Sequence, residues 1–361
     1  MLVFAREAVA RGYRVDLVVN INSGSLSGLV PAGVRLVDLD RRRVSLALLR
    51  LVKYLRNNRP EVLFSTIMHA NVTAAIAGRL ARVGTPVIVR ESNAPVSEPK
   101  HTFSRLLTYK MLPYTYTWAR AIIAVSEGVA SELRAVDQRL STLIKVVGTP
   151  VISDEVLRLG EEQPGHPWFR AGEPPVILGA ARLQAHKGFL TLIRAFAKFR
   201  RSHVARLMIL GEGPERRTLE SEVERLGLVS EVSLPGFFQN PFAYMKRARV
   251  FVLSSEYEGL PNVLIQAMAF GTPIVATDCN CGPAEILAGG AYGQLVPEGD
   301  IDRMAEALAR ALYLPRSDEA RRSVLERYSA ARVTTEYLRL AGLPERIKSN
   351  VTDIGRAVVE A

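Results

Sequence analysis

Residues 254–278 read SSEYEGLPNVLIQAMAFGTPIVATD, and this stretch decides the fold. A single carboxylate, Glu258, stands in a tight Gly259-Leu260-Pro261 loop that opens into a helix. Pro261 suits the first helical position, where a missing N–H costs nothing. Gly271 follows the last periodic residue as a helix-ending glycine, and Pro273 then introduces the β-branched strand IVAT. Such a loop–helix–strand unit offers unsatisfied backbone N–H groups and the positive end of a helix dipole to an anion. Glu258 would sit beside that anion, near whatever group the phosphate carries.

Outward from this stretch the chain alternates helix and strand. A helix at 2–11 is followed by strands YRVDLVVN (13–20) and VRLVDLD (34–40), a basic helix, and strand EVLFSTI (61–67). A helix over 70–82, strand PVIVRES (86–92), a further helical stretch and strand AIIAVS (121–126) come next. This is the pattern of a doubly wound parallel α/β sheet. Residues 148–175, rich in Gly, Pro and Glu, mark the crossing to a second half with the same logic: strands PVILGA, ARLMILG, VSLPG and VFVLS, with helices at 188–200, 214–226 and 241–247. The expected domains are 1–150, a linker at 151–175, a second domain at 176–345 and a tail at 346–361. The helical stretch from about 301 onward is placed to cross back to the first domain. Two such halves imply a cleft between them, lined by loops at the C-terminal ends of strands.

The segment around Glu258 resembles the donor-binding segment of glycosyltransferase family 4, retaining enzymes of the GT-B architecture with two Rossmann-like domains. In that family two acidic residues flank seven others, the first meeting the transferred sugar and the second the nucleotide ribose. The resemblance makes Glu258 the first, the catalytic carboxylate, and puts Gln266 at the second. Gln266 departs from the usual Glu: its amide still bonds ribose hydroxyls, but charge-assisted bonds are roughly twice as strong. The loop residues Gly259, Leu260 and Pro261 would line the nucleotide. Relatives usually begin with a strand and a glycine-rich loop ahead of the helix matching 2–11. Here that first strand is missing, which implies a truncated or mis-started chain, or an N-terminal variant.

Strand PVILGA runs into Arg182-Leu-Gln-Ala-His-Lys187-Gly188. Lys187 precedes a helix N-terminus, where the dipole disfavours a cation unless an anion is bound. The resemblance makes Arg182 and Lys187 diphosphate ligands. Gly211-Glu212-Gly213-Pro214 after the next strand resembles a loop facing the nucleotide, and LPGFFQNP (234–241) the segment meeting the base. In the first half, relatives place a histidine where Ser92 stands, within Arg90-Glu91-Ser92-Asn93. These four and His69 are the sugar-pocket candidates, with His101 a further loop histidine. Glu285 is expected to fix the loop holding Glu258, and His166-Pro-Trp168-Phe169 to pack as a linker anchor.

With 361 residues, 48% of them hydrophobic, the chain is long enough for two cored domains. No apolar run reaches the ~18 residues of a membrane span. Cys279 and Cys281 are one residue apart, which strains a disulfide, and two thiolates alone make no zinc site, so reduced thiols are expected. Asp38 and Asp40 form a superficial metal-binding DxD, but Arg41, Arg42 and Arg43 follow and compete for both. No metal or cofactor is expected, and the substrate would be a nucleotide-diphosphate sugar. The net charge of +11 needs a partner. Nucleic acid is disfavoured, because no recognition motif is present. Residues 41–59, RRRVSLALLRLVKYLRNNR, interleave basic residues with Leu46, Leu49, Val52 and Leu55 at helical spacing. This reads either as a helix lying on an anionic membrane or as a basic surface helix packed on the core.

The resemblance thus implies a cytoplasmic enzyme, peripheral to the membrane, that transfers a sugar to an envelope polysaccharide or lipid-linked acceptor without a metal. The alternatives are a non-catalytic nucleotide-sugar-binding or membrane-docking relative, which Gln266 and Ser92 favour, and a GT-B epimerase acting on the nucleotide sugar itself.

Overall fold

The computed structural model describes residues 1–20, 30–40, 44–93, 103–344, 346 and 356–360. It divides into two compact units, one of residues 1–150 with 330–361 and one of residues 151–329. Each is a parallel sheet flanked by helices.

The sheet of unit 1 runs in the order β2-β1-β13-β3-β4-β5-β6. Its strands are β1 (Arg14–Val19), β2 (Val34–Asp38), β3 (Val62–Thr66), β4 (Val87–Glu91), β5 (Ala121–Ala124), β6 (Ile144–Val146) and β13 (Arg356–Glu360). Strands β3, β4 and β5 are buried along their whole length, so they read as continuous apolar runs rather than alternating ones. The helices of unit 1 are α1 (Leu2–Ala10), α2 (Val44–Asn58), α3 (Met68–Ala81), α4 (Phe103–Thr115), α5 (Glu127–Val136) and α14 (Ala330–Ala341).

The slot between β1 and β3, where the family's first strand would lie, is filled from the other end of the chain. Strand β13 pairs in parallel with β1 on one side and β3 on the other. Both neighbours thereby gain ladder partners that would otherwise be missing. Helix α14 also belongs to unit 1: it packs on α1, and in the core Tyr337 stacks on Phe64 and meets Phe4 at a tilt. The return to the first unit therefore starts at Ala330, and 330–345 leaves the second domain to which the sequence reading gave it.

Helix α2 resolves the two readings of 41–59 in part. Arg41, Arg42 and Arg43 lie outside the described residues, as does the side chain of Leu46. Val52 and Leu55 are buried with Leu51 and Tyr54, so the apolar stripe faces the core. Tyr54 donates to Asp16 of β1, which also receives Arg35, and this buried carboxylate pins the helix to its sheet. Of the three described positions among the four named, Leu49 alone stands exposed, at 75%.

The sheet of unit 2 has the order β12-β11-β10-β7-β8-β9. Its strands are β7 (Val176–Ala180), β8 (Arg206–Leu210), β9 (Val232–Gly236), β10 (Val250–Leu253), β11 (Ile274–Thr277) and β12 (Gln294–Val296). Its helices are α6 (Asp154–Glu161), α7 (Phe189–Phe199), α8 (Arg216–Arg225), α9 (Phe242–Arg247), α10 (Asn262–Met268), α11 (Pro283–Ile286), α12 (Ile301–Ala311) and α13 (Asp318–Tyr328). Phe189, Leu192, Ile193, Phe196 and Phe199 form the buried face of α7 and pack with Met304 and Leu308 of α12 over the sheet. Each such side chain stabilises by roughly 1.5–3 kcal/mol on burial.

The stretch 151–175 is part of unit 2, with α6 docked on α9. Asn240 donates to the Leu159 carbonyl (2.9 Å), and Phe169 meets Tyr244 edge-on at 5.3 Å.

Arg90 and Glu91 end β4 inside the unit 1 core. Arg90 reaches Thr66, Thr149 and the Tyr337 hydroxyl (3.0 Å), and that hydroxyl donates to the Gly148 carbonyl (2.9 Å). Tyr337→Phe keeps the ring packing but removes both bonds. We expect a loss of about 1–3 kcal/mol in unfolding free energy, read by urea denaturation.

Candidate active site

The strand order of unit 2 reverses between β7 and β10, since the chain winds one way through β8 and β9 and the other way through β11 and β12. Ligands of doubly wound sheets sit outside the strand ends at this switch point. The loops leaving β7 and β10 carry Lys187 and Glu258, and there the two side chains meet. Lys187 Nζ lies 2.7 Å from Glu258 Oε1, with both side chains largely buried. The carboxylate answers the question that the sequence raised about a lysine ahead of α7: its charge offsets the helix dipole.

Four further contacts hold these loops together. Ser255 Oγ donates to Glu258 Oε1 (2.7 Å), and Ser254 Oγ donates to the Lys187 carbonyl (2.7 Å). The Glu256 N–H donates to the His186 carbonyl (2.8 Å), and the rings of His186 and Tyr257 stack at 4.5 Å. With Oε1 taken by both Lys187 and Ser255, Oε2 is the oxygen of Glu258 left for a ligand. Behind Ser255, Thr277 of β11 donates to its carbonyl (2.5 Å).

The loops approach so closely that glycine is required. A Cβ on Gly188, at φ +64°, would lie 1.9 Å from the Ser254 carbonyl oxygen. The Gly211 and Gly213 pair has the same cause. Cβ atoms there would come within 1.9 Å of the Ala181 oxygen and 2.2 Å of the Leu183 oxygen, so the 211–213 loop lies flat against the one bearing Arg182. Arg182 itself is exposed, and its guanidinium meets no carboxylate among the described residues, which leaves it open to an anion.

Pro261 caps α10 rather than starting it, and its carbonyl accepts from Leu264 (3.0 Å). No side chain caps that helix end. Gly282 backs directly onto the loop, where a Cβ would meet Pro261 Cδ at 2.6 Å. This close approach sets Gly282 against Gly259-Leu260-Pro261, and Glu285, three residues on, pairs with Arg327 (3.7 Å). Gln266 is half-buried in α10. Cys279 and Cys281 are free buried thiols, and burial pushes Cys279 up to about 12, with the Glu258 and Glu298 carboxylates adding to the effect.

Residues 166–329 match the sequence profile of glycosyl transferases group 1, and residues 1–154 match that of Glycosyltransferase Family 4. The chain is thus family 4-like in one part and group 1-like in the other. An uncharacterized glycosyltransferase of Methanocaldococcus jannaschii is 28% identical over 246 residues, 66% of this chain and 60% of that relative. The match thus spans less than two thirds of that protein. A Campylobacter jejuni protein, the N-acetylgalactosamine-N,N'-diacetylbacillosaminyl-diphospho-undecaprenol 4-alpha-N-acetylgalactosaminyltransferase, is 27% identical over 269 residues, 73% of this chain and 70% of its own. Among solved structures, Anabaena HepE in complex with UDP and glucose has a TM-score of 0.77 at 18% identity, covering 94% of this chain and 95% of its own. The sucrose-phosphate synthase of Thermosynechococcus elongatus has a TM-score of 0.73 at 20% identity, covering 93% and 90%. These likenesses establish the GT-B fold.

The unit 1 candidates divide. Arg90 and Glu91 are committed to core partners, Glu91 receiving Asn71 (2.9 Å) and the Tyr116 hydroxyl. Their side chains build the sheet end and do not project from it. Ser92 is half-buried and Asn93 exposed just beyond β4; His69 is exposed in the first turn of α3. His101 lies outside the described residues. Asp38 accepts from the Asp40 N–H (2.7 Å) and so shapes a turn, and no metal-holding cluster occurs among the described residues. Sequence reading missed Ser255, Thr277 and Gly282. Only the small polar pair before Glu258 could have pointed to the first.

Gly188→Ala should destabilise unit 2 by at least about 2 kcal/mol in urea denaturation, because the backbone conformation is unfavourable and a carbonyl blocks the methyl. Thiol reagents at pH 8 should leave Cys279 unlabelled in the folded protein and label it on unfolding, since its raised pKa and burial both suppress the thiolate.

Proposed function

We propose that this chain is a retaining glycosyltransferase that moves a hexosyl or related sugar from a nucleotide-diphosphate donor to a cell-envelope polysaccharide or lipid-linked acceptor. The observation that carries the reading is the Lys187–Glu258 pair at the switch point of the second sheet. Support comes from the UDP and glucose bound to Anabaena HepE and from the lipid-linked substrate in the name of the Campylobacter relative.

On this reading the donor diphosphate draws Lys187 away from Glu258 and onto itself, joined by Arg182 and by the uncapped N–H groups at the start of α10. Each charge-assisted contact contributes on the order of 1.5–3 kcal/mol. These groups stabilise the charge that grows on the leaving diphosphate, which is the role a metal ion would otherwise fill. Glu258, still held by Ser255, keeps its other oxygen towards the sugar and supports positive charge at the anomeric carbon. The acceptor attacks on the face that the nucleotide leaves, and the departing phosphate takes its proton. Gln266 bonds the ribose through a neutral amide, so a larger share of donor affinity rests on the diphosphate contacts. Gly211 and Gly213 keep the neighbouring loop low enough for the nucleotide to lie across it. Ser92, Asn93 and His69 remain the sugar-pocket candidates of unit 1. The reaction belongs in the cytoplasm, at the inner face of the membrane where a lipid-linked acceptor would stand.

A binding-only relative is the second reading, favoured by the neutral Gln266. Arg182→Ala with Lys187→Ala should weaken nucleoside diphosphate binding by on the order of a hundredfold or more in calorimetry, and unchanged affinity would remove the donor assignment. Glu258→Gln should keep that binding while slowing sugar transfer or donor hydrolysis by about a hundredfold. Wild-type protein that binds donor yet neither transfers nor hydrolyses it would establish the binding-only reading. A new sugar isomer from donor alone would identify an epimerase.

A further inference from the structure

The net charge is confined to one unit. Unit 1 holds 26 Lys and Arg against 14 Asp and Glu, whereas unit 2 holds 21 against 22. Within unit 1 the charge is sorted again. Helices α2, α3 and α4 contain six Lys and Arg and no Asp or Glu (Arg50, Lys53, Arg56, Arg79, Arg105, Lys110). Both α2 and α4 pack against α3, so these helices form one continuous layer.

The same layer exposes large apolar side chains. Leu107 and Tyr114 are seven residues apart on α4, and Trp118 follows four later in the 3₁₀ turn that continues it. That spacing puts all three on one face, and their exposures are 50%, 64% and 44%. Leu80 on α3 (47%) and Leu49 on α2 (75%) extend the apolar surface. Guanidinium groups frame the two aromatic rings: Arg79 lies over Trp118 at 5.2 Å, and Arg139, itself paired with Asp137, lies over Tyr114 at 5.7 Å. Exposed Arg50, Lys53 and Lys110 complete the rim.

We infer that the outer face of the α2–α3–α4 layer docks on an anionic lipid bilayer, with Tyr114 and Trp118 seated at headgroup depth and the lysines and arginines on lipid phosphates. Amphipathic rings favour that depth, and each basic residue near an anionic surface adds to the attraction. Nucleic acid shares the phosphate chemistry. Its grooves and backbone give no place to three exposed leucines, whereas acyl chains do. The surface is thus wider than the basic helix that the sequence singled out, because the core takes that helix's own apolar stripe.

The inference stands apart from the donor assignment, since nucleotide calorimetry reports on unit 2 and vesicle binding on unit 1. Trp168→Phe leaves Trp118 as the only tryptophan of the full chain. Mixed phosphatidylglycerol–phosphatidylcholine vesicles should then shift its emission to the blue and carry the protein down on sedimentation, and pure phosphatidylcholine should do neither. Arg50→Glu with Lys110→Glu, both exposed, should weaken that binding about tenfold or more, and so should high salt. Sedimentation with an unmoved emission, full binding by the charge-reversed variant, or equal binding to pure phosphatidylcholine would overturn the inference. Binding to duplex DNA without binding to vesicles would also overturn it and give the basic face to nucleic acid.

Discussion

Everything in unit 2 is arranged around one ion pair between residues 71 positions apart in sequence, Lys187 and Glu258. Two charges withdrawn this far from water do little for stability by themselves, because desolvation consumes most of their attraction. What the pair secures is geometry. It places a cation and an anion at the end of the sheet where the strand order turns, each on a loop that could not hold its shape alone. The serine hydroxyls, the backbone bond from Glu256 and the stacked His186 and Tyr257 rings repeat the connection, so the two loops are tied at several points. The carboxylate holds the lysine at the sheet end while no other anion is present to do so.

The glycines follow from that constraint. Gly188, Gly211, Gly213 and Gly282 each stand where another backbone or ring comes closer than a methyl group permits. In sequence they look like a phosphate-cradling signature. In the structure their first duty is to let four loops stack, and whatever a nucleotide gains from them comes afterwards. The resemblance located these loops correctly along the chain, because loop–helix–strand punctuation is a local property written in Pro, Gly and β-branched residues. It could not rank the glycines by cause, since the blocking atoms belong to loops distant in sequence.

The same division between local and distant information explains the rest. The doubly wound pattern of both sheets was legible, as was the basic helix, because periodicity reports which residues alternate. Periodicity does not say what covers them. Val52 and Leu55 were read as open to either lipid or core, and the core takes them through a tyrosine anchored on Asp16. Arg90 and Glu91 looked like a polar signature at a strand end, yet a tyrosine from each of two distant segments and three threonine or asparagine side chains absorb them. Strand β13 and helix α14 lie at the far end of the chain, and no local signal tells a helix near residue 330 which of two sheets it will join.

Charge adds a constraint that composition alone hides. A protein at +11 could carry its excess evenly, and long-range repulsion would then weaken both units alike. Here unit 2 is close to neutral and laced with pairs such as Arg194–Glu222 and Arg216–Glu212, so its cations are largely matched at short range. Half of the excess of unit 1 sits instead on a layer of three helices whose own residues include no carboxylate. Neighbouring like charges on such a layer repel one another, and opposing carboxylates would relieve this at small cost to packing. Their absence from these helices, beside exposed tryptophan and tyrosine, gives that face both excess positive charge and exposed apolar area among the described residues.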